Sequence, residues 1–465
     1  MSFFDEIDRY GADVALITEE GQRIVYAELV DAADRLRARL RGPGLAFLLA
    51  KNCPESVMGY IGFLRARIPV VLQPPGLHPE LLANLLDTYR PRYVWLPRER
   101  AEQVPASTEL FALGKYVLVS RAADPVVLHE DMALLLSTSG STGSPKLVRQ
   151  SYQNIAANAA SIAQYLDIGS EDRAITTLPM HYVFGLSVLN SHLLRGATIV
   201  LTDRGLMERG FWELMKTTRA TSFAGVPYTF EMLRRLRFAR MDLPSLRVLS
   251  QAGGKLDAAL VHEFASICHS KGMRFYVMYG AAEATARMSY LPPQYALEKP
   301  GSIGIPIPGG EFWIEDSTGA VIESPDMIGE LIYRGDNVTF GYATCREDLA
   351  RGDERGGVLR TGDMARRDED GFYYIVGRRN RFIKIFGNRI NLEEIEQHIR
   401  KTGADCACAG KDDNLRIYIA DGLKKDKVMT FVQELTGLHH SAYTVVVLDE
   451  IPRNEFGKIT YAALP

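Results

Sequence analysis

Cysteine is scarce. The five in 465 residues, Cys53, Cys268, Cys345, Cys406 and Cys408, are odd in number and scattered, which suits a reducing compartment rather than a disulfide framework. Cys406 and Cys408 stand two apart, on one face of an expected strand, and no Cys-x-x-Cys or His-Glu-x-x-His pattern accompanies them, which argues against a structural zinc site. No run approaches the ~18 apolar residues of a membrane span. The opening Met1-Ser2-Phe3-Phe4-Asp5-Glu6 has neither a basic n-region nor an apolar h-region, so the expectation is a cytoplasmic protein. Neither charge sign dominates: Lys and Arg number 54 against 57 Asp and Glu, a net charge of -3. Basic runs such as Arg234-Arg235-Leu236-Arg237 are short and read as a solvated helix face, so no nucleic-acid partner is expected. Internal repeats and low-complexity tracts are lacking as well.

What is present is the balance of a globular chain, 46% apolar and 24% charged, long enough to need more than one core. The periodicity predicts a helix over 27–40, a buried strand over 45–50 and a helix over 55–66, an alternation that points to a β/α layered domain with parallel strands. The proline-rich stretch 69–79 reads as an extended connector. Further strands are expected at 132–136, 174–177, 198–201, 221–224, 248–251 and 275–278, with helices between most of them. Over 301–374 short strands punctuated by Gly, Pro and Asp read as antiparallel structure. The basic Gly377-Arg378-Arg379-Asn380-Arg381 marks the domain boundary. Beyond it the pattern predicts helices at 392–401 and 425–435 and strands at 405–409, 415–420 and 443–448. The expected fold class is therefore α/β: a large layered N-terminal domain with a β-rich subdomain, residues 1–378, and a small α+β domain, residues 381–465.

The clearest chemical signal is Thr138-Ser139-Gly140-Ser141-Thr142-Gly143-Ser144-Pro145-Lys146. Glycines allow close backbone approach to a polyphosphate, hydroxyls add donors and Lys146 adds a cation. The Walker pattern Gly-x-x-x-x-Gly-Lys-Ser/Thr does not occur, so P-loop chemistry does not follow. Taken by composition alone, a flexible serine-rich turn is the competing reading.

The segment resembles the signature loop of the adenylate-forming superfamily of acyl-CoA synthetases, adenylation domains and luciferases, and further segments follow in that family's order over nearly the whole chain. Tyr279-Gly280-Ala281-Ala282-Glu283 resembles Tyr-Gly-x-Thr-Glu, in which the ring packs on adenine and the glutamate holds Mg²⁺; Ala282 stands where the family has threonine. Arg360-Thr361-Gly362-Asp363 is similar to the ribose-binding step, with Asp363 accepting from both hydroxyls. Gly329-Glu330-Leu331 and Gly341-Tyr342 match the β-rich stretch around it and carry structural roles only. Arg378 matches a nucleotide-contacting arginine, and Asn380 the pivot, where Asp or Lys is usual. Gly387 falls where the family brings backbone against a pantetheine arm, a hairpin turn being the competing account. In Pro452-Arg453-Asn454-Glu455-Phe456-Gly457-Lys458, the resemblance makes Lys458 the lysine that meets the carboxylate and α-phosphate. His181 occupies the position of a family histidine or aromatic that borders the acyl pocket. Phe184, Val226, Pro227, Gly253, Gly254 and Met278 are candidate lining residues, the two glycines counted also with the nucleotide site.

The resemblance thus implies a mobile C-terminal domain and catalytic roles for Lys458, Glu283, Thr138 and His181. ATP would be held by Thr138, Ser139, Gly140, Ser141, Thr142, Gly143, Lys146, Gly253, Gly254, Tyr279, Gly280, Ala281, Glu283, Asp363, Arg378, Gly387 and Lys458, with Mg²⁺ on Glu283. It implies a small carboxylic acid as substrate and CoA as acceptor. The alternatives are a stand-alone ligase that loads the phosphopantetheine of a carrier protein and a nucleotide-binding homologue without catalysis. A homodimer is open beside a monomer.

Overall fold

The computed structural model describes residues 3–122, 126–137, 146–385, 388–411, 414–436, 443–454 and 457–465. The chain divides into two compact units, residues 1–311 with 333–359, and residues 312–332 with 360–465. The segment 312–332 therefore clusters with the C-terminal residues.

The first unit is built on two large mixed sheets. One, eight-stranded among the described residues, runs in the order Gly341–Ala343, Leu147–Ser151, Met132–Ser137, Val70–Gln73, Ala46–Leu49, Tyr93–Pro97, Tyr116–Arg121, Ser107–Leu113. Its centre is parallel and its flanks antiparallel. Both faces are covered, as a parallel centre requires. Leu48, Leu72, Leu134 and Leu136 pack to one side with helices Tyr26–Arg37, Pro54–Arg65 and Tyr152–Tyr165, while Phe47, Leu49, Val71 and Leu135 pack to the other with helix Pro79–Tyr89.

The stretch expected to be a connector, 69–79, holds the central strand Val70–Gln73. Pro69 precedes the first ladder position and Pro74 follows the last, so neither removes a hydrogen bond that the strand needs, and the apolar run decides the outcome. Pro79 opens the next helix, where its missing N–H is harmless.

The second sheet runs Ile305–Pro306, Ser289–Leu291, Arg274–Tyr279, Val248–Gln251, Ser222–Gly225, Arg173–Ile175, Thr198–Val200, Val14–Ile17, Arg23–Val25. Its middle is parallel, and its ends at 23–25 and 289–306 are antiparallel. The layered plan of the sequence holds, with antiparallel edges that periodicity does not reveal.

Most of a four-stranded sheet, Gly310–Glu315, Gly329–Gly335, Val358–Arg367 and Tyr373–Arg378, lies in the second unit. It is followed by the hairpin Phe382–Ile385 with Asn388–Asn391, and by a three-stranded sheet, Cys406–Lys411, Asn414–Ile419 and Tyr443–Val447, packed with helices Leu392–Lys401 and Lys425–Thr436. Cys406 and Cys408 both point into that core, as their spacing requires. Among the described residues no helix is long and apolar enough to cross a membrane.

Candidate active site

Strand Arg274–Tyr279 ends at the turn carrying Gly280, Ala281, Ala282 and Glu283. A Cβ on Gly280 would fall 1.6 Å from the Ala286 carbonyl oxygen, so only glycine lets the chain fold back on itself here. After a single 3-10 turn, Thr285 (φ 52°) and Ala286 (φ 109°) both take positive φ. For alanine that is a strained geometry, held by surrounding polar contacts. Thr285 donates to the Asn337 carbonyl at 2.8 Å, and the Asn337 amide donates to the carbonyls of Ala284 and Arg287, both at 2.8 Å. Tyr333 fixes that amide through a 2.7 Å bond to Oδ1, and Asn158 adds a further donor to Arg287 at 3.0 Å. The loop presenting Glu283 is thus tied down on both sides.

Glu283 is half-buried, and its Oε1 accepts from the Tyr342 hydroxyl at 2.7 Å. Thr339 Oγ1 and Arg355 Nη1 donate to its carbonyl at 3.0 and 3.2 Å. The Tyr342 ring is flanked by cations: Lys146 Nζ sits 4.0 Å from its centroid and Arg355 Cζ 4.9 Å. Burial first, and then the Glu283 charge, push the Tyr342 phenol up to about 12, so it stays a donor. Lys146 and Glu283, named separately by the sequence, are brought together on one tyrosine. Tyr342 itself is more than the structural residue expected; no spacing rule connects it with a carboxylate 59 positions earlier.

Oε2 of Glu283 takes no hydrogen bond among the described residues. A single anionic oxygen beside bound phosphates suits Mg²⁺, which keeps several waters and takes few protein ligands, so the residues present fit the ion.

The candidate acid-pocket residues also converge. Gly253 (φ 84°) lies under Tyr182, Val226 and Phe184: a Cβ there would be 2.8 Å from the Tyr182 hydroxyl and 3.0 Å from Val226 Cγ1. On Gly254 it would stand 3.1 Å from Pro227 Cγ. Phe184 lies against the Arg287 guanidinium, Cζ 4.2 Å from the ring centroid, and Arg287 reaches the Met278 sulfur. His181, buried, places Nδ1 3.2 Å from the Ala50 carbonyl, which puts the proton on that nitrogen. Tyr182 is pushed up to about 12 by burial.

Residues 138–145, and with them the candidates Thr138, Ser139, Gly140, Ser141, Thr142 and Gly143, lie outside the described residues. The strands at either side pair Ser137 with Leu147. Beyond them, Ser151 and Asn154 cap helix Tyr152–Tyr165 reciprocally at 2.8 and 3.0 Å. Lys146 therefore stands at the end of a fully buried strand.

In the second unit, Asp363 and Arg378 face each other on paired strands, with Oδ1 3.1 Å from Nε. The Asp363 N–H donates to Thr361 Oγ1 at 3.0 Å, and Thr361 donates to the Leu331 carbonyl at 2.7 Å. Arg360 is held by Glu315 at 2.7 Å and Arg379 by Glu330 at 2.9 Å, which leaves Arg378 as the arginine on Asp363. Asn380 falls in the short turn Arg379–Arg381, and Gly387 lies outside the described residues. Lys458 sits in a closed turn: its N–H donates to Asn454 Oδ1 at 3.0 Å, its carbonyl accepts from the Asn454 N–H at 2.8 Å, and Gly457 has φ 73°.

The family model described as AMP-binding enzyme matches residues 3–343. The chain belongs to that family. Among AMP-binding enzymes it is 27% identical to 2-succinylbenzoate–CoA ligase of Bacillus subtilis (strain 168), over 96% of this chain and 93% of the relative. It is 28% identical to indoleacetate–CoA ligase of Aromatoleum aromaticum, over 93% and 91%. The fold is shared with O-succinylbenzoate coenzyme A synthetase from Bacillus subtilis in complex with AMP, at TM-score 0.79 and 24% identity over 100% and 98% of the two chains. It is shared likewise with ATP-bound MatB from Rhodopseudomonas palustris, at TM-score 0.78 and 21% identity over 99% and 98%.

Proposed function

We propose that this AMP-binding enzyme is an acid–thiol ligase: it activates a small carboxylic acid with ATP to the acyl-adenylate, releasing pyrophosphate, and transfers the acyl group to the thiol of CoA. The observation that carries the reading is the Glu283–Tyr342–Lys146 assembly, a carboxylate and a cation fixed on one tyrosine next to the Gly/Ser/Thr segment. The full-length relatives named as CoA ligases support CoA as the acceptor.

A carboxylate resists attack by a thiol because it is anionic and would have to expel oxide, so the first step joins one of its oxygens to the α-phosphorus while the bond to pyrophosphate breaks; AMP is then the group that leaves when the thiol attacks. Negative charge gathers on the phosphoryl oxygens, and preorganised donors and cations stabilise it. Residues 138–143 and Lys146 wrap the phosphates, and Lys458 meets the reacting carboxylate and α-phosphate. Glu283 is the residue that would hold Mg²⁺, which neutralises phosphate charge when bound. Tyr279 with Gly280 and Ala281 borders the base, and Asp363 with Arg378 takes the ribose. His181, Gly253 and Gly254 border the acid, and Gly387 the pantetheine arm. Residues 1–378 bind nucleotide and acid, residues 381–465 form the lid, and the protein works in the cytoplasm.

The test is pyrophosphate release over a panel of acids, followed by AMP release on adding CoA or a holo carrier protein. AMP release with CoA is expected. Release with the holo carrier alone moves the acceptor to a protein, and no pyrophosphate with any acid removes the ligase assignment.

A further inference from the structure

Arg287 is among the most deeply buried side chains of the molecule, 1% exposed. Its Nη1 donates to the Tyr165 hydroxyl at 3.1 Å and approaches the Met278 sulfur, and its Nη2 donates to Ser187 Oγ at 3.1 Å. The Phe184 ring covers one face of the guanidinium at 4.2 Å. Among the described residues Nε has no hydrogen-bond partner and no carboxylate pairs with the group. The described side chains it touches, Tyr165, Met278, Ser187 and Phe184, are neutral. Burial pulls its pKa down and Tyr165 pulls it back up, yet a guanidinium does not lose its proton in a protein.

An unpaired charge removed from water is costly, and neutral donors and rings offset only part of that cost; an apolar side chain would fill the same space at less expense. The position is not remote from the chemistry. Phe184 and Met278 are candidate walls of the acid pocket, and Arg287 follows Glu283 by four residues in the strained loop. It also lines an internal cavity of about 20 Å³ together with Ser191, His192, Ser222 and Ser250. Burial holds His192 on the neutral side, so it adds no second cation. Asp172, the carboxylate on that lining, is already held by Arg247 at 2.7 Å and Thr221 at 2.7 Å. A planar cation with an unused donor, next to the pocket of an acid-activating enzyme and without an acid of its own, is suited to a carboxylate brought by the ligand.

We propose that Arg287 receives a second carboxylate of the acid substrate, so that the enzyme selects dicarboxylic over monocarboxylic acids. The inference rests on the ligase reading above and names the substrate class of that site.

The experiment compares aliphatic and aromatic dicarboxylic acids with the same molecules carrying one carboxylate as the primary carboxamide, by pyrophosphate release with ATP and CoA. For at least one pair the wild-type kcat/KM is expected to favour the diacid by roughly 100-fold, the size of a lost charge-assisted contact that leaves a buried donor unmet. Arg287→Met should bring that ratio to about one, and Arg287→Lys should keep part of it. The inference is overturned if wild-type enzyme uses carboxamides and simple monoacids as well as every diacid, a result that needs no variant. It is overturned also if Arg287→Met lowers both members of a pair equally, because the residue then serves the reacting carboxylate or the packing. Absence of pyrophosphate with every acid would remove the ligase reading and this inference with it.

Discussion

Asp363 and Arg378 stand directly opposite on antiparallel strands, the carboxylate nearly buried and the guanidinium largely exposed, with Nε 3.1 Å from Oδ1. The cross-strand register places the acid and fixes its partner. One carboxylate oxygen is drawn toward Arg378, and Thr361 holds the backbone beneath.

Asp363→Asn keeps the shape of that site, removes its charge and halves its capacity to accept. Each hydrogen bond to a charged group is worth about 1.5–3 kcal/mol, so the KM for ATP in pyrophosphate exchange should rise roughly 10- to 100-fold. The thermal midpoint should move little, because Arg378 is already solvated. An unchanged KM would remove Asp363 from the nucleotide site.

Tyr342→Phe deletes the hydroxyl that holds the Glu283 carboxylate. The Mg²⁺ concentration for half-maximal activity should rise about 3- to 10-fold while the KM for the acid stays put. The same variant has an alkaline signature. The folded-state pKa of Tyr342, about 12, lies above the ordinary 10, so its contribution to stability is complete below pH 10 and is lost as pH climbs from 10 to 12. Tyr342→Phe should lose less stability than wild type across that window in urea melts at pH 9, 10 and 11. Parallel curves would show that the phenol titrates as it does in water.

Much of this was legible in the sequence, for reasons that particular residues make plain. Val248–Gln251 and Leu392–Lys401 appear where periodicity puts them, because each is bounded by strong breakers and buries a regular pattern. Val70–Gln73 was hidden by prolines that sit just outside its ladder. Short segments of unusual composition, such as Tyr279 to Glu283, announce a site because their chemistry is local. Tyr342, Arg355 and Arg287 could not be found that way. Each acts through a partner distant in the chain or through burial, and neither property leaves a mark in one sequence.

Gly280→Ala tests the local part of that account. The new methyl would overlap the Ala286 carbonyl oxygen, which is backbone and cannot rotate aside. The loop must open, at about 1–3 kcal/mol or more, and Glu283 moves with it. Adenylate formation should fall at least 100-fold, more than destabilisation of the fold explains, with a lower melting temperature in the same sample. Full activity would show that the turn is not needed in its observed form.

The second unit depends on a different residue. Glu396 is 2% exposed and gathers Arg381 at 2.5 Å, Arg400 at 3.3 Å, the Tyr461 hydroxyl at 3.0 Å and the Cys408 N–H at 2.6 Å. Arg381 in turn donates to the Cys408 carbonyl at 2.6 Å and lies 3.9 Å from the Tyr461 ring centroid. One carboxylate therefore joins the segment just after Asn380, the helix Leu392–Lys401, the sheet and the residue three places beyond Lys458. Glu396→Ala leaves Arg381 buried without its counter-charge, and breaking a buried pair from one side costs about 3–5 kcal/mol. Glu396→Gln keeps two of the acceptor contacts and should lose less. Urea denaturation should rank wild type above Gln above Ala. If Lys458 acts in adenylate formation, pyrophosphate release should fall in the same order at temperatures where both variants remain folded, since the turn that carries it loses its anchor at Tyr461. A Glu396→Ala protein as stable as wild type would mean that the charges of this cluster are met by water instead.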